Sequence, residues 1–292
     1  MPPVDAGQYI IEARIYAGEF AEILRARDSD GKRVALKRIL RDRRTRTALR
    51  SLEHEARVGL TFDHPNIIEV YHFIPGPPEP VMVMEFFPSR NLKVRAHAPR
   101  GDRLLVERMP NILEQMAFAL LHVHDKGYIH MDLKPENFLL NDEGHVKLTD
   151  FAITTTSGGA LRAIKRLLPG RRRIAGTRPY IAPETLLRRD PDYRTDIYSF
   201  GATVFEVLTG RPPFIADDRD ELLAMHLRDA PPWPWTYNKN LTREINDLVL
   251  AMLAKSPERR PQSMADVYAR IKRVAIYKEP PQEARRSGGR KR

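Results

Sequence analysis

Two short polar segments contain the residue types that phosphoryl transfer requires. Segment 130–137 reads His-Met-Asp-Leu-Lys-Pro-Glu-Asn, and Asp150 follows in Leu-Thr-Asp-Phe-Ala, thirteen residues after Asn137. In such chemistry one carboxylate orients the attacking hydroxyl and accepts its proton. A second carboxylate and an amide oxygen hold Mg²⁺ on the phosphates, and a lysine neutralises the transferring group. Each residue alone fits an ordinary polar loop, but the ordered set of two aspartates, one lysine and one asparagine favours this chemistry.

The chain before Pro88 has the pattern of a small sheet with one helix. Apolar stretches bounded by turn residues predict five strands, at 10–15, 23–27, 34–40, 67–73 and 81–87. Between the third and fourth of these, apolar residues recur at helical spacing and predict a helix over 45–62. A small α+β lobe is therefore expected ahead of the polar segments.

The chain after Pro88 is predominantly helical in pattern. Periodicity and capping residues predict helices at 107–125, at 194–209, at 242–255 and from Ser263 onward. From Pro280 the sequence is polar and rich in Pro, Gly and Arg, which is typical of disorder. We expect an α+β fold of two lobes, with a sheet-rich lobe at 1–87, a larger helical lobe at 88–276 and a basic tail at 277–292.

The composition is that of a globular chain without thiol chemistry. The 292 residues are 42% hydrophobic and include no cysteine, so disulfides and thiolate metal sites are excluded. The first residues, Met-Pro-Pro-Val-Asp, lack the features of a secretory signal, and no apolar run is long enough to cross a bilayer. The sequence therefore predicts a cytoplasmic protein without a membrane span.

The net charge of +11 allows two interpretations. One is binding to nucleic acid or to an anionic membrane, and the other is a solvated basic surface. The charge is spread along the chain, with local runs at 41–44, 171–173 and 285–292, which favours the second interpretation. A nucleic-acid partner is therefore not expected.

Several motifs in order make the chain resemble the protein kinase superfamily, in the serine/threonine branch of bacterial, eukaryotic-like type. The resemblance extends from about Tyr9 to Ile276. It rests on Val-Ala-Leu-Lys at 34–37, on the two polar segments, on Ala-Pro-Glu at 182–184 and on the Asp196 segment. It implies a bilobal protein-kinase-like fold and transfer of the γ-phosphate of ATP to serine or threonine of a protein substrate, including the kinase itself. The implied metal is Mg²⁺, with Mn²⁺ as an alternative.

The resemblance also implies roles for individual catalytic residues. Asp132 would orient the substrate hydroxyl, and Lys134 would contact the γ-phosphate. Lys37 would contact the α- and β-phosphates and pair with Glu55 of the predicted helix. Glu53 is the rival partner, but it would point to a different helix face.

The cofactor would lie between the lobes. Asn137 and Asp150 match the metal ligands, Met84 resembles the gatekeeper residue, and 85–87 resembles the hinge that binds adenine. The implied cofactor-binding residues are Ile15, Gly18, Ile23, Ala35, Lys37, Met84, Glu85, Phe87 and Leu139.

Other motifs resemble the segment that docks the peptide substrate and its supports. Thr177 would hydrogen-bond to the catalytic pair, and Glu184 would form a buried ion pair with Arg260. Asp196 would brace the catalytic segment. Glu136 could favour basic residues near the target hydroxyl, although the family often has glutamate there whatever the preference.

Three departures from the family pattern concern loops. The sites of the glycine-rich loop read Tyr16, Gly18 and Ala21, which predicts a stiffer flap and weaker ATP binding. Met131 replaces the arginine that grips a phosphate on the activation loop, so the chain is of non-RD type and switching through that contact is not expected. Ala152 replaces a glycine, which should make a flip of Asp150 harder.

A fourth departure is Gly59, four residues after Glu55. The family usually has a bulky apolar residue there, stacked with Phe151 and His130. Glycine inside a helix costs about 1 kcal/mol relative to alanine, and it would leave a gap. We therefore expect a poorly held helix and hypothesise an activating partner or a homodimer contact that stabilises it.

Two alternative functions remain open at this level. A pseudokinase acting as a binding or scaffold module would explain the departures, but Lys37, Glu55 and the polar segments are retained. A small-molecule kinase would lack the Ala-Pro-Glu and Asp196 motifs.

Candidate phosphorylation sites in the activation segment, 150–184, are Thr154, Thr155, Thr156 and Ser157.

Overall fold

A five-stranded antiparallel sheet forms the first lobe of the computed structural model, which describes residues 9–76, 79–99, 101–156 and 179–279. Its strands are β1 (Ile10–Ala17), β2 (Ala21–Arg27), β3 (Arg33–Ile39), β4 (Val70–Ile74) and β5 (Val81–Glu85), in the spatial order β1-β2-β3-β5-β4. The predicted strand at 67–73 begins only at Val70, because Ile67 instead bridges Leu148 of the second lobe.

One helix, α1 (Arg46–Gly59), lies against this sheet. It begins at Thr45, whose hydroxyl accepts a hydrogen bond from the Ala48 amide at 3.1 Å. Its apolar face, including Leu52 and Ala56, packs in a core with Ile39 of the sheet. The same packing turns Glu55 inward, where it is buried.

The second lobe is built of helices around a large apolar core. The helices in the described part of this lobe are α2 (Leu92–Ala96), α3 (Arg103–Glu107), α4 (Met109–Asp125), α5 (Pro183–Leu186), α6 (Tyr193–Thr209), α7 (Arg219–Arg228), α8 (Arg243–Met252) and α9 (Met264–Ile271). Helix α6 is buried along most of its length and begins with a capping box of Asp192 and Thr195. Its apolar residues belong to the core of this lobe.

Short strands of the second lobe flank the two polar segments. Strands β6 (Arg90–Asn91), β8 (Phe138–Leu140) and β9 (Val146–Leu148) form one small sheet, and β7 (Tyr128–Ile129) pairs with β10 (Thr155–Thr156). Segment 130–137 thus lies between β7 and β8, and Asp150 directly follows β9.

The α+β fold of two lobes is confirmed, and the helices predicted at 107–125, 194–209, 242–255 and from Ser263 are found within about three residues of those bounds. No helix of the described ranges is long and apolar enough to cross a bilayer. At the start of the predicted tail, Tyr277 still bridges Leu241, and the Lys278 amide donates to the Asn240 carbonyl at 2.8 Å. The rest of that tail, 280–292, lies outside the described residues.

Candidate active site

A cavity of about 1020 Å³ lies between the two lobes. Its volume is at the upper end of the range typical of small-molecule sites. Lys37 of β3, Asp132 of the first polar segment and Asp150 of the second all line it. Three charged groups that are far apart in sequence therefore face one space.

The amine of Lys37 joins the sheet to both α1 and the second polar segment. Its Nζ lies 2.5 Å from Glu55 Oε1 and 3.4 Å from Asp150 Oδ1. Glu53 is exposed and pairs with Arg57 one turn along the helix, so Glu55 and not Glu53 is the helix carboxylate that contacts Lys37.

Burial and charge act in opposite directions on these groups. Burial disfavours the ammonium of Lys37, but the charges of Asp150 and Glu55 outweigh it and raise the pKa of Lys37. Burial raises the pKa of Glu55 to about 7, against the effect of Lys37. Burial also opposes ionisation of Asp150, but Lys37 and Lys134 lower the pKa of this carboxyl. Lys37 and Asp150 are therefore both charged at neutral pH.

The first polar segment, 130–137, holds its own side chains in place. Lys134 Nζ lies 2.5 Å from Asp132 Oδ2, and the Asn137 amide nitrogen donates to the Asp132 carbonyl at 2.7 Å. This second contact leaves the amide oxygen of Asn137 available as a ligand. Asp132 is thereby presented to the cavity with a cation beside its carboxylate.

A buried carboxylate of α6 holds the backbone of this segment. Asp196 is fully buried and accepts hydrogen bonds from the amides of His130 at 2.7 Å and Met131 at 2.9 Å. Its Oδ2 also lies 2.9 Å from His124 Nε2. Met131 has a φ of 72°, in the left-handed region that non-glycine residues rarely adopt, so these bonds stabilise a strained backbone.

Asp150 and Asn137 have the donor chemistry of a Mg²⁺ site. Both offer hard oxygen ligands and both line the cavity. No group of three or more His, Cys, Asp or Glu residues suited to a metal occurs within the described ranges. A metal held here would complete its coordination with phosphate oxygens and water, as Mg²⁺ commonly does.

One end of the cavity is lined mainly by apolar side chains. Ile23 and Ala35 of the sheet and Leu139 of the helical lobe line it, together with Ile15, Met84, Glu85 and Phe87. The side chain of Glu85 is engaged by Lys147 at 2.6 Å, so any contact with a ligand would come from its backbone.

Gly18 is the one predicted cofactor-binding residue that does not line the cavity. Tyr16 and Ala21, the two neighbouring sites of the loop, line it instead. A Cβ atom added to Gly18 would lie 3.1 Å from Cε1 of Tyr16, so the tyrosine ring lies over this glycine. The family motif identifies Tyr16 only as a position where a glycine is absent. It gives no indication that Tyr16 lines the cavity.

The gap expected at Gly59 is not present. Gly59 is the last residue of α1, and an added Cβ would lie 2.5 Å from Cγ2 of Val70, which fills the space. The aromatic stack is supplied instead by Phe62, whose ring centroid is 4.9 Å from that of Phe151. Phe151 in turn lies 5.2 Å from the ring of His130.

Two further side chains attach α1 to the chain after Asp150. His54 Nε2 lies 2.7 Å from the carbonyl oxygen of Thr154, and the Ser51 hydroxyl donates to the Ala152 carbonyl at 3.4 Å. The helix therefore has contacts within the described chain that the sequence did not indicate.

The start of the activation segment differs from expectation at Thr154. This residue is buried, and its hydroxyl donates to the His130 carbonyl at 3.3 Å, so it is a poor phosphorylation site. Thr155 and Thr156 belong to β10. Ser157, the Gly-Thr pair at 176–177 and the arginine run at 171–173 lie outside the described residues.

The predicted support of the docking segment is present. Arg260 donates to both carboxylate oxygens of Glu184, at 2.7 and 2.8 Å, and both residues are buried. A bidentate ion pair of this kind fixes the relative orientation of the two side chains as well as neutralising their charges. It anchors α5 directly beside the cavity.

Comparison with known proteins agrees with this geometry. The family model described as "Protein kinase domain" matches residues 9–269. A probable serine/threonine-protein kinase of Streptomyces coelicolor is 31% identical over 263 residues, covering 88% of this chain and 38% of the relative. Serine/threonine-protein kinase PknB of Mycobacterium tuberculosis is 31% identical over 234 residues, 78% of this chain and 36% of the relative. Serine/threonine-protein kinase PrkC of Bacillus subtilis is 29% identical over 271 residues, covering 91% of this chain and 40% of the relative. The chain thus spans less than half the length of these relatives.

Proposed function

Because this chain belongs to the protein kinase family, we propose that it transfers the γ-phosphate of ATP to serine or threonine hydroxyls of protein substrates, itself included. The observation that carries the proposal is that Lys37, Asp132 and Asp150 line one cavity, together with apolar side chains of the kind that adenine would contact. Serine or threonine as the acceptor is supported by the Lys-Pro-Glu sequence at 134–136 and by the names of the relatives.

In this proposal each side chain has a separate task. Asp132 positions the attacking hydroxyl and accepts its proton, and Lys134 offsets negative charge on the transferring group. Lys37, oriented by Glu55, binds the inner phosphates. A divalent metal held by Asp150 and Asn137, Mg²⁺ or alternatively Mn²⁺, would neutralise phosphate charge.

Two other functions fit less well. A scaffold-only pseudokinase would not require Lys37, Glu55, Asp132, Asn137 and Asp150 to be retained and brought together. A small-molecule kinase would not require Glu184 and Arg260 to be paired beside a peptide-docking segment. The cytoplasmic location and an activating partner or homodimer remain proposals from the sequence.

The decisive experiment measures transfer of label from γ-labelled ATP to a serine, threonine and tyrosine peptide library, with Mg²⁺ and with Mn²⁺. We expect incorporation into serine or threonine peptides and a loss of at least about 100-fold in Asp132→Asn. Equal incorporation by the wild type and by a folded Asp132→Asn variant would contradict the proposal.

A further inference from the structure

A second charged cluster lies at the end of the cavity bounded by α2 and residues 179–182. Lys93 of α2 and Tyr180 line the cavity there. Behind them Glu206 of α6 is fully buried. Lys93 Nζ forms an ion pair with Oε1 of Glu206, and the Tyr180 hydroxyl donates to Oε2 at 2.6 Å. His97 Nε2 lies 3.4 Å from Oε1.

The ammonium of Lys93 separates the buried carboxylate from the cavity. A buried carboxylate is stable only when it is paired, and here Lys93 supplies the pairing cation. The side chain of Lys93 is 32% exposed, so it is reached from the cavity while Glu206 is not. Glu136, which also lines the cavity, has a buried Oε2 without a hydrogen-bond partner within the described residues. Of two carboxylates near this end, Glu136 has an oxygen without a hydrogen-bond partner among the described residues, whereas Glu206 is paired with Lys93.

We propose that Lys93 is a specificity-determining residue that blocks Glu206 against basic side chains of the substrate. An arginine or lysine of a peptide could reach this carboxylate only by displacing an ammonium that α2 already holds beside it. Displacement is unfavourable because the internal partner has lost little entropy, whereas the peptide side chain must be immobilised. The peptide position that packs against Lys93 therefore takes a neutral or acidic side chain. The proposal rests on the proposed function, since it assigns the substrate class of the same site.

The test removes Lys93 and asks whether a basic preference appears. The probes are serine peptides in which each position in turn carries arginine or its neutral isostere citrulline, and the readout is the ratio of kcat/KM for the two. For wild type we expect a ratio near or below one at the position concerned. In Lys93→Ala the ratio should rise about tenfold or more at that position, as for a newly accessible charge partner. Lys93→Arg should behave as wild type.

Three controls identify the carboxylate. The gain should disappear in Lys93→Ala combined with Glu206→Gln, and it should persist when Lys93→Ala is combined with Glu136→Gln. Lys126→Ala, which removes an exposed lysine at the end of α4, should leave every ratio unchanged. If Lys93→Ala folds poorly, Lys93→Gln keeps a donor to Glu206 and should show a smaller gain at the same position.

Binding of the same fluorescein-labelled peptides, followed by anisotropy, separates this inference from the proposed function. Tighter binding of arginine peptides by Lys93→Ala supports the role of Lys93 even if no variant transfers phosphate, which would overturn the kinase proposal alone. Unchanged arginine-to-citrulline ratios in both kinetics and binding would overturn the role of Lys93. A gain that survives Glu206→Gln would overturn it as well.

Discussion

The ring of Phe62 packs against the ring of Phe151 with their centroids 4.9 Å apart, and this contact connects the turn after α1 to the segment that follows β9. Phe62 is buried and also contacts Tyr128 at 5.6 Å between centroids. Because Phe151 directly follows Asp150, the position of the carboxylate depends on a side chain outside the family motifs.

Replacing Phe62 should therefore lower both stability and activity. We expect Phe62→Ala to reduce the free energy of unfolding by about 3 kcal/mol and kcat/KM for ATP by about tenfold, because it creates a cavity beside Phe151. Phe62→Leu should retain most of both. Urea denaturation and steady-state kinetics check this. The control is Phe118→Ala, which removes a ring that packs on His64 and Tyr268 away from Phe151 and should leave kcat/KM unchanged. A folded Phe62→Ala protein with the kcat/KM for ATP of the wild type would contradict the prediction.

Restoring the residue that the family usually has at position 59 should be harmful in this chain. Since an added Cβ would meet Val70 at 2.5 Å, Gly59→Leu should cost about 1–3 kcal/mol of unfolding free energy through overpacking. Val70→Ala should relieve part of that cost, so the double variant should be more stable than the sum of the two single effects predicts. A double-mutant cycle by urea denaturation measures this coupling, and strict additivity would show that the two positions do not compete for space.

The candidate residues Asp132, Asn137 and Asp150, which line one cavity, could be named from the sequence because phosphoryl-transfer chemistry depends on residue type and order within short segments. Lys37 and Glu55 could be matched for a similar reason, since helical periodicity separates Glu55 from Glu53. The α+β division also followed from local patterns, namely strands before Pro88 and helices after it. In each case the information lies within a few residues of chain.

The compensating contacts could not be predicted because they join distant or irregular parts of the chain. Phe62 reaches Phe151 only because the chain turns directly after α1, where the Phe62 amide donates to the Gly59 carbonyl at 3.1 Å. Lys93 and Glu206 are 113 positions apart, and neither belongs to a motif. The family motif shows that position 59 lacks the usual bulky side chain. It does not show that Val70 fills the space or that Phe62 packs on Phe151 instead.

Weakening Asp196 should release the strained backbone at Met131. Asp196→Asn loses the charge on the acceptor of two backbone hydrogen bonds, and we expect kcat to fall by tenfold or more and stability by about 2–4 kcal/mol. His124→Gln removes only the imidazole contact, so its effect on kcat should be smaller. Kinetics at saturating ATP and peptide, with thermal denaturation, compare the two. A larger loss in His124→Gln than in Asp196→Asn would show that the backbone bonds are not the main role of Asp196.

The raised pKa of Glu55 predicts opposite pH dependences for stability and activity. Burial, reinforced by Asp150, raises the pKa of Glu55 to about 7, above the value near 4.5 expected for the unfolded chain. Between these values the folded protein retains a proton that the unfolded chain releases, so the stability of wild type relative to Glu55→Gln should fall as pH rises from about 4.5 to 7. Activity should rise over the upper part of this range, since ionised Glu55 holds Lys37 more strongly. Because the nucleotide phosphates titrate identically in both proteins, the ratio of their kcat/KM values isolates Glu55. A ratio that stays constant from pH 6 to 8 would place its ionisation outside this window.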